Sequence, residues 1–144
     1  MMEMTLNWKI FAFGSALFAG LTAVLAKVGI EKIPSNLATL FRTGVILVFL
    51  LGLVSWRHEW RTPSTLSTRS LVFLTLSALA TGLSWLCYYR ALQLAPASLV
   101  APIDKFSLVV AIFLSVLFLG ERLSLGQWAG ASLVALGVIC LAVL

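Results

Sequence analysis

Five apolar stretches of membrane-crossing length, separated by short polar breaks, account for most of this sequence. A helix needs roughly 20 apolar residues to cross hydrocarbon. The stretches run from about Lys9 to Ala26, Leu37 to Trp56, Leu71 to Leu92, Ser98 to Leu119 and Gln127 to Leu144. The breaks are punctuated as turns should be: Gly29 to Asn36 with Pro34, Arg57 to Arg69 with Pro63, Ala95 to Ala97 around Pro96, and Gly120 to Gly126. With 61% hydrophobic and only 10% charged residues among 144, and a mean hydropathy of +1.08, the chain cannot coat a soluble core with polar groups. Soluble domains carry about 25% charged residues. The expected fold is therefore all-α: a polytopic membrane bundle of about five transmembrane helices. The first stretch has the look of a signal peptide, but its removal would leave four spans and no A-x-A site follows, so a retained helix is expected.

The net charge of +5 would point toward nucleic acid in a soluble protein. Here no Lys/Arg-rich run exists to bind phosphate backbones, and the basic residues instead invite a membrane-orientation reading. Lys9, Arg57, Arg61, Arg69 and Arg122 fall on the amino-terminal side. Lys27, Lys32 and Arg90 fall on the other, joined by Arg42 and Lys105 if residues just inside helix ends are included. Five against three favours a cytoplasmic amino terminus; five against five suits a protein inserting both ways up as an antiparallel pair. Cys87 and Cys140 lie within apolar runs and imply neither a disulfide nor a metal site. His58, the one histidine, sits in a polar loop beside Arg57 and Glu59. No serine has a histidine partner in the membrane and no nucleotide-binding glycine loop is present, so neither an enzyme nor a cofactor is expected.

A charge within hydrocarbon asks for a partner, a water-filled cavity or a route to the interface. The residues that pose this question are Lys27, Arg42, Arg90, Asp104 and Lys105, all toward one membrane face when the helix directions are traced. At 1.5 Å per residue, Arg42 and Asp104 lie roughly 7 to 10 Å below that face. Two readings are open. In one, the five form a basic vestibule for an anionic or zwitterionic solute, with Asp104 balancing a cation or binding an amine. In the other, Lys27, Arg90 and Lys105 snorkel to head groups while Arg42 and Asp104 form a structural pair.

The third stretch carries Ser77, Thr81, Ser84 and Tyr88 at i, i+4, i+7 and i+11, one polar stripe of a helix that should face the bundle interior. It either lines a solute path or glues helices together. Trp85, Tyr88 and Tyr89 could clamp a planar or apolar solute, or belong to an interfacial aromatic belt. Ser15 and Thr22 repeat the pattern more weakly in the first stretch, with Phe11 and Phe18 on nearby turns. The fourth places Asp104, Ser107, Ala111 and Ser115 on one face, with Pro102 removing a backbone donor at the second turn, where the helix can loosen at membrane depth. In the fifth, Gly126 and Gly130 form a GxxxG pair continued by Gly137, which suits close helix packing or a dimer contact.

Tyr88 to Ser124, reading YYRALQLAPASLVAPIDKFSLVVAIFLSVLFLGERLS, followed by GQWAGASLVALGVICLAVL, resembles the EamA domain of the drug/metabolite transporter superfamily. Lys27, Arg42 in LFRTGVIL, Pro102 and the GERLS turn containing Glu121 match recurring features of that pattern. The resemblance implies a single EamA-like transmembrane domain over 1–144 and a secondary transporter of small organic solutes in the cytoplasmic (inner) membrane, in contact with membrane lipids. Most members carry two such units of opposite orientation around a central cavity. One unit alone has no inverted partner to rock against, so a homodimer, with an antiparallel arrangement as one option, is expected. Small four-helix relatives couple transport to protons through a glutamate in their first helix. No such acid is present in the first stretch here, which makes Asp104 the candidate for coupling. Flipping of a lipid-linked sugar and a non-transporting accessory subunit remain as alternatives.

Overall fold

The computed structural model describes residues 2–61 and 67–143, with side chains from 8–60 and 67–143. Pro63, expected to break the second loop, and Leu144, expected to end the fifth span, lie outside the described residues. The described chain is helical, without strands, and its element order is α1 (Met2–Gly29), α2 (Ser35–Trp56), a short 3-10 turn (Glu59–Arg61), α3 (Thr68–Leu94), α4 (Ala97–Asp104), α5 (Ser107–Leu114), a π turn (Ser115–Leu119) and α6 (Leu125–Val143). Five segments are long and apolar enough to cross a membrane: Trp8–Gly29, Ser35–Trp56, Thr68–Leu94, Ala97–Leu119 and Leu125–Val143. The five expected spans are all present, each within a few residues of its expected ends.

The chain divides into two compact units, one of residues 1–27 and 95–144, the other of Val28–Leu94. In the second, α2 packs on α3, and the loop before α2 is tied to the end of α3 by the Gln93 amide, whose Nε2 donates to the Ile33 carbonyl at 2.8 Å. Pro34 starts α2 with an extended ψ of 133° and no side-chain cap, its carbonyl accepting from the Ala38 amide at 3.0 Å. Within the helix, Thr39 and Thr43 donate their hydroxyls to the carbonyls of Ser35 and Thr39 at 2.9 and 2.8 Å. That back-bonding is how a hydroxyl finds a partner where no water competes. Ser67 caps α3, accepting the Ser70 amide at 3.1 Å.

In the first unit, α6 packs on both α4 and α5. The fourth expected span is interrupted after Asp104, where the chain tightens. The Lys105 and Phe106 amides donate three residues back, to Pro102 and Ile103, each at 3.0 Å. One turn earlier, Pro102 has no N–H for the Ser98 carbonyl, so the helix forgoes that bond as well. Asp104 and Ser107 lie three residues apart across this turn, the spacing at which 3-10 geometry stacks side chains.

The GERLS turn is built from two local devices. Gly120 ends the π turn in the left-handed region (φ 67°, ψ 23°), with the Glu121 amide reaching back to the Ser115 carbonyl at 3.4 Å. Ser124 and Gln127 then form a capping box for α6: the Ser124 amide donates to Gln127 Oε1 at 2.7 Å and the Gln127 amide to Ser124 Oγ at 3.4 Å. A Cβ at residue 120 would meet nothing within 4 Å, so replacing this glycine is a torsional problem alone. We expect Gly120→Ala to destabilise the protein by about 1 kcal/mol, and Gly120→Asn by less, since Asn tolerates this conformation. Reversible unfolding in detergent micelles measures both, and an alanine variant as stable as the wild type would contradict the assigned turn.

Candidate functional site: an arginine on an aromatic platform

Arg42 is the one charged residue of α2. Seven residues from the start of that helix, it lies about 10 Å along the axis. Its guanidinium carbon sits 4.2 Å from the centroid of the Trp85 ring and 5.7 Å from that of Tyr89, both on α3. Trp85 and Tyr89 are an i, i+4 pair, so one helical face presents both rings to α2. Tyr89 is buried, at 4% exposure, and the neighbouring Tyr88 ring meets it edge-on at 6.4 Å and 66°. A cation set over such a face is stabilised by about 0.5 to 2 kcal/mol. Leaving a charge in hydrocarbon costs at least about 2.5 kcal/mol on insertion scales, so the rings offset only part of it. Among the described residues, no hydrogen bond or ion pair reaches the Arg42 guanidinium.

The other basic residues are engaged differently. Arg90 donates to Gln93 Oε1 at 3.2 Å, extending the link from Gln93 to Ile33. It also borders an open cavity of about 490 Å³ lined with Ser35, Asn36, Leu86 and Cys87. Arg69, at the start of α3, lies 5.9 Å from the Phe73 ring. In the other unit, Lys27 Nζ donates to the Ala95 carbonyl at 3.0 Å, joining the end of α1 to the residues preceding α4. Asp104 lies 3.4 Å from Lys105 Nζ, both side chains partly exposed. Within its own unit, Asp104 meets its sequence neighbour Lys105, and within the other, Arg42 meets aromatic faces.

The polar stripe of α3 lies within one uninterrupted helix. Thr81 donates its hydroxyl to the Ser77 carbonyl at 2.9 Å, and Ser77, Thr81 and Ser84 are exposed along the helix. Ser15 is exposed and Thr22 half-buried on α1. On α6, a Cβ at Gly126, Gly130 or Gly137 would meet nothing within 4 Å among the described residues. Tyr89 as part of the Arg42 platform, Gln93 as a tie, and the lining residues Ser35, Asn36, Leu86 and Cys87 were not singled out from sequence. The i, i+4 relation of Trp85 and Tyr89 carried the signal for the first.

The model of the EamA-like transporter family matches residues 6–143. The chain belongs to the EamA-like transporter family. An uncharacterized transporter in the cobO 3' region of a Sinorhizobium species is 49% identical over 140 residues, covering 97% of this chain and 99% of that one. An uncharacterized protein of Methanocaldococcus jannaschii is 29% identical over 128 residues, 89% of this chain and 90% of the relative. A Proteus mirabilis protein named as the probable 4-amino-4-deoxy-L-arabinose-phosphoundecaprenol flippase subunit ArnE is 26% identical over 82 residues, 56% of this chain and 73% of its own. No solved structure matches the chain significantly. As an EamA-like transporter with five membrane-length helices, it is a multi-pass membrane protein.

The platform makes a quantitative prediction. In a double-mutant cycle of Arg42→Gln and Trp85→Ala, the coupling energy should be about 0.5 to 2 kcal/mol, the range for a partly desolvated cation–π contact. Trp85→Phe should retain part of it. Unfolding in mixed micelles supplies the four stabilities, and strict additivity would remove the interaction.

Proposed function

We propose that this EamA-like chain is a secondary transporter of small organic solutes, residing in the cytoplasmic (inner) membrane and working by alternating access as a homodimer. The observation that carries the reading is Arg42 on the Trp85 and Tyr89 rings: a fixed charge held inside a membrane helix of a transporter family member. Ionisable residues kept at such depth mark solute or ion pathways by default. On this reading Arg42, Trp85, Tyr88, Ser77, Thr81 and Ser84 contribute one wall of a solute path, with Arg90 at its mouth. Ser15, Thr22 and Lys105 are further candidates for solute contact, Lys27 for the vestibule, and Asp104 binds solute and carries the coupling proton. The tightened turn just after Asp104 gives it a backbone able to shift during a cycle.

Residues 1–144 act as one EamA-like domain and need an inverted partner to complete a conduit. Support for a second copy comes from Gly126, Gly130 and Gly137, a small-residue stripe with open space over every one of them. An antiparallel pair is the arrangement a near-even distribution of Lys and Arg suits. A second reading is favoured by the similarity to the probable flippase subunit: the chain would be one subunit of a lipid-linked sugar flippase, with lateral access from the bilayer.

Counterflow of a panel of radiolabelled amino acids, amines, nucleosides and sugars in proteoliposomes tests the first reading. Saturable uptake should occur with the purified chain alone, and Asp104→Asn should abolish acceleration by an imposed proton gradient while leaving exchange intact. Leucine substitution at Gly126 and Gly130 should remove cross-linked dimers and flux together. Absence of flux with the chain alone, restored by a co-expressed second membrane protein, would replace the homodimer by the subunit reading.

A further inference from the structure

We infer that the Arg42 guanidinium is a receptor for an oxyanion, a phosphate or carboxylate group, and that the solute or lipid handled by this protein carries one. The inference deepens the transport reading and rests on it. Three observations lead there. First, the guanidinium carbon lies 4.2 Å from the Trp85 ring centroid and 5.7 Å from that of Tyr89, and a ring face stabilises a cation without supplying a counter-charge. Its five N–H donors meet no hydrogen-bond acceptor or acid among the described residues. Second, α2 and α3 contain Arg42, Arg69 and Arg90 but no Asp or Glu, so this helix pair supplies no counter-charge. Third, the other two arginines differ from Arg42: Arg69 lies at the start of α3, and Arg90 donates to the Gln93 amide. Arg42 alone of the three combines membrane depth with an unused planar fork.

A planar fork set over aromatic rings and deprived of a carboxylate matches an oxyanion in geometry and sign. Two N–H groups meet two oxygens side by side, and the charges cancel inside the membrane. A cationic or neutral solute would leave the guanidinium uncompensated. The same chemistry could come from a soluble anion or from the phosphate of a lipid head group.

The test uses the full chain in dodecyl maltoside, a detergent without phosphate, titrated with phenyl phosphate and followed by tryptophan fluorescence, with phenol as the uncharged control. Wild-type protein should bind phenyl phosphate saturably and phenol far less. Arg42→Gln should weaken phenyl phosphate binding about 10- to 100-fold, the loss expected for hydrogen bonds to charged groups. Arg42→Lys keeps the charge but not the fork and should fall between, which gives a readout if the Gln variant fails to fold. A second arm counts phosphatidylglycerol retained by native mass spectrometry after extraction from vesicles containing it. Arg42-dependent retention that phenyl phosphate does not displace identifies the lipid as the source; phenyl phosphate binding without such retention identifies a soluble anion. If neither ligand depends on Arg42, or phenol binds as tightly as phenyl phosphate, the oxyanion receptor is overturned. Flux is read separately: Arg42-dependent binding with no movement of phenyl phosphate or lipid across proteoliposomes counts against transport and leaves the receptor standing, whereas solute flux indifferent to Arg42 does the reverse.

Discussion

A polar group in hydrocarbon has no water to bond with, and this sets the terms for nearly every local feature of the chain. Helices answer it for the peptide groups, since each N–H finds its carbonyl four residues back. Hydroxyls answer it through the same carbonyls, as in Thr39, Thr43, Thr75 and Thr81, all of which donate to the preceding turn of their own helix. Helix ends answer it with capping side chains, Ser67 for α3 and the reciprocal Ser124 and Gln127 pair for α6. A guanidinium has no such local answer. Arg42 is too highly charged to be satisfied by one backbone carbonyl, and its own helix provides no acid.

The chain meets that difficulty with the faces of two aromatic rings, which stabilise a cation without neutralising it. The result is a group held in place and still short of a counter-charge. Such a residue is a poor choice for stability alone. Replacing a buried charge by an apolar residue is often neutral or favourable, so its presence in a transporter family member makes sense as a point of contact with cargo. In the other unit the backbone around Asp104 also departs from the α-helix: Pro102 lacks a donor, and the Lys105 and Phe106 amides donate three residues back. In both places the local rule is broken next to an ionisable side chain.

The helices and their ends were almost entirely legible from residue order. The breaks at Pro34, Pro96 and Gly120 fall where expected, and the GERLS turn resolves into a left-handed glycine followed by a capping box. The candidate site was legible only in part. Arg42, Trp85, Tyr88 and Tyr89 were picked out individually, but their grouping around one guanidinium was not foreseen. Hydropathy and charge identify which residues are anomalous in a membrane without saying which anomaly answers which. Tyr89 was legible as an aromatic beside Trp85 and Tyr88, but not as a partner of a cation on another helix.

Sequence by itself determined the number of membrane helices, their approximate limits, the breaks between them and the transporter family, because these follow from runs of side-chain type along one strand of chain. Tertiary structure decided that Arg42 rests on Trp85 and Tyr89, that Gln93 ties α3 to the loop before α2, and that the α6 glycines face open space. These depend on how far each helix is rotated about its axis and slid along its neighbour. A shift of one residue turns a helix by about 100°, and that angle is fixed by packing between segments distant in sequence.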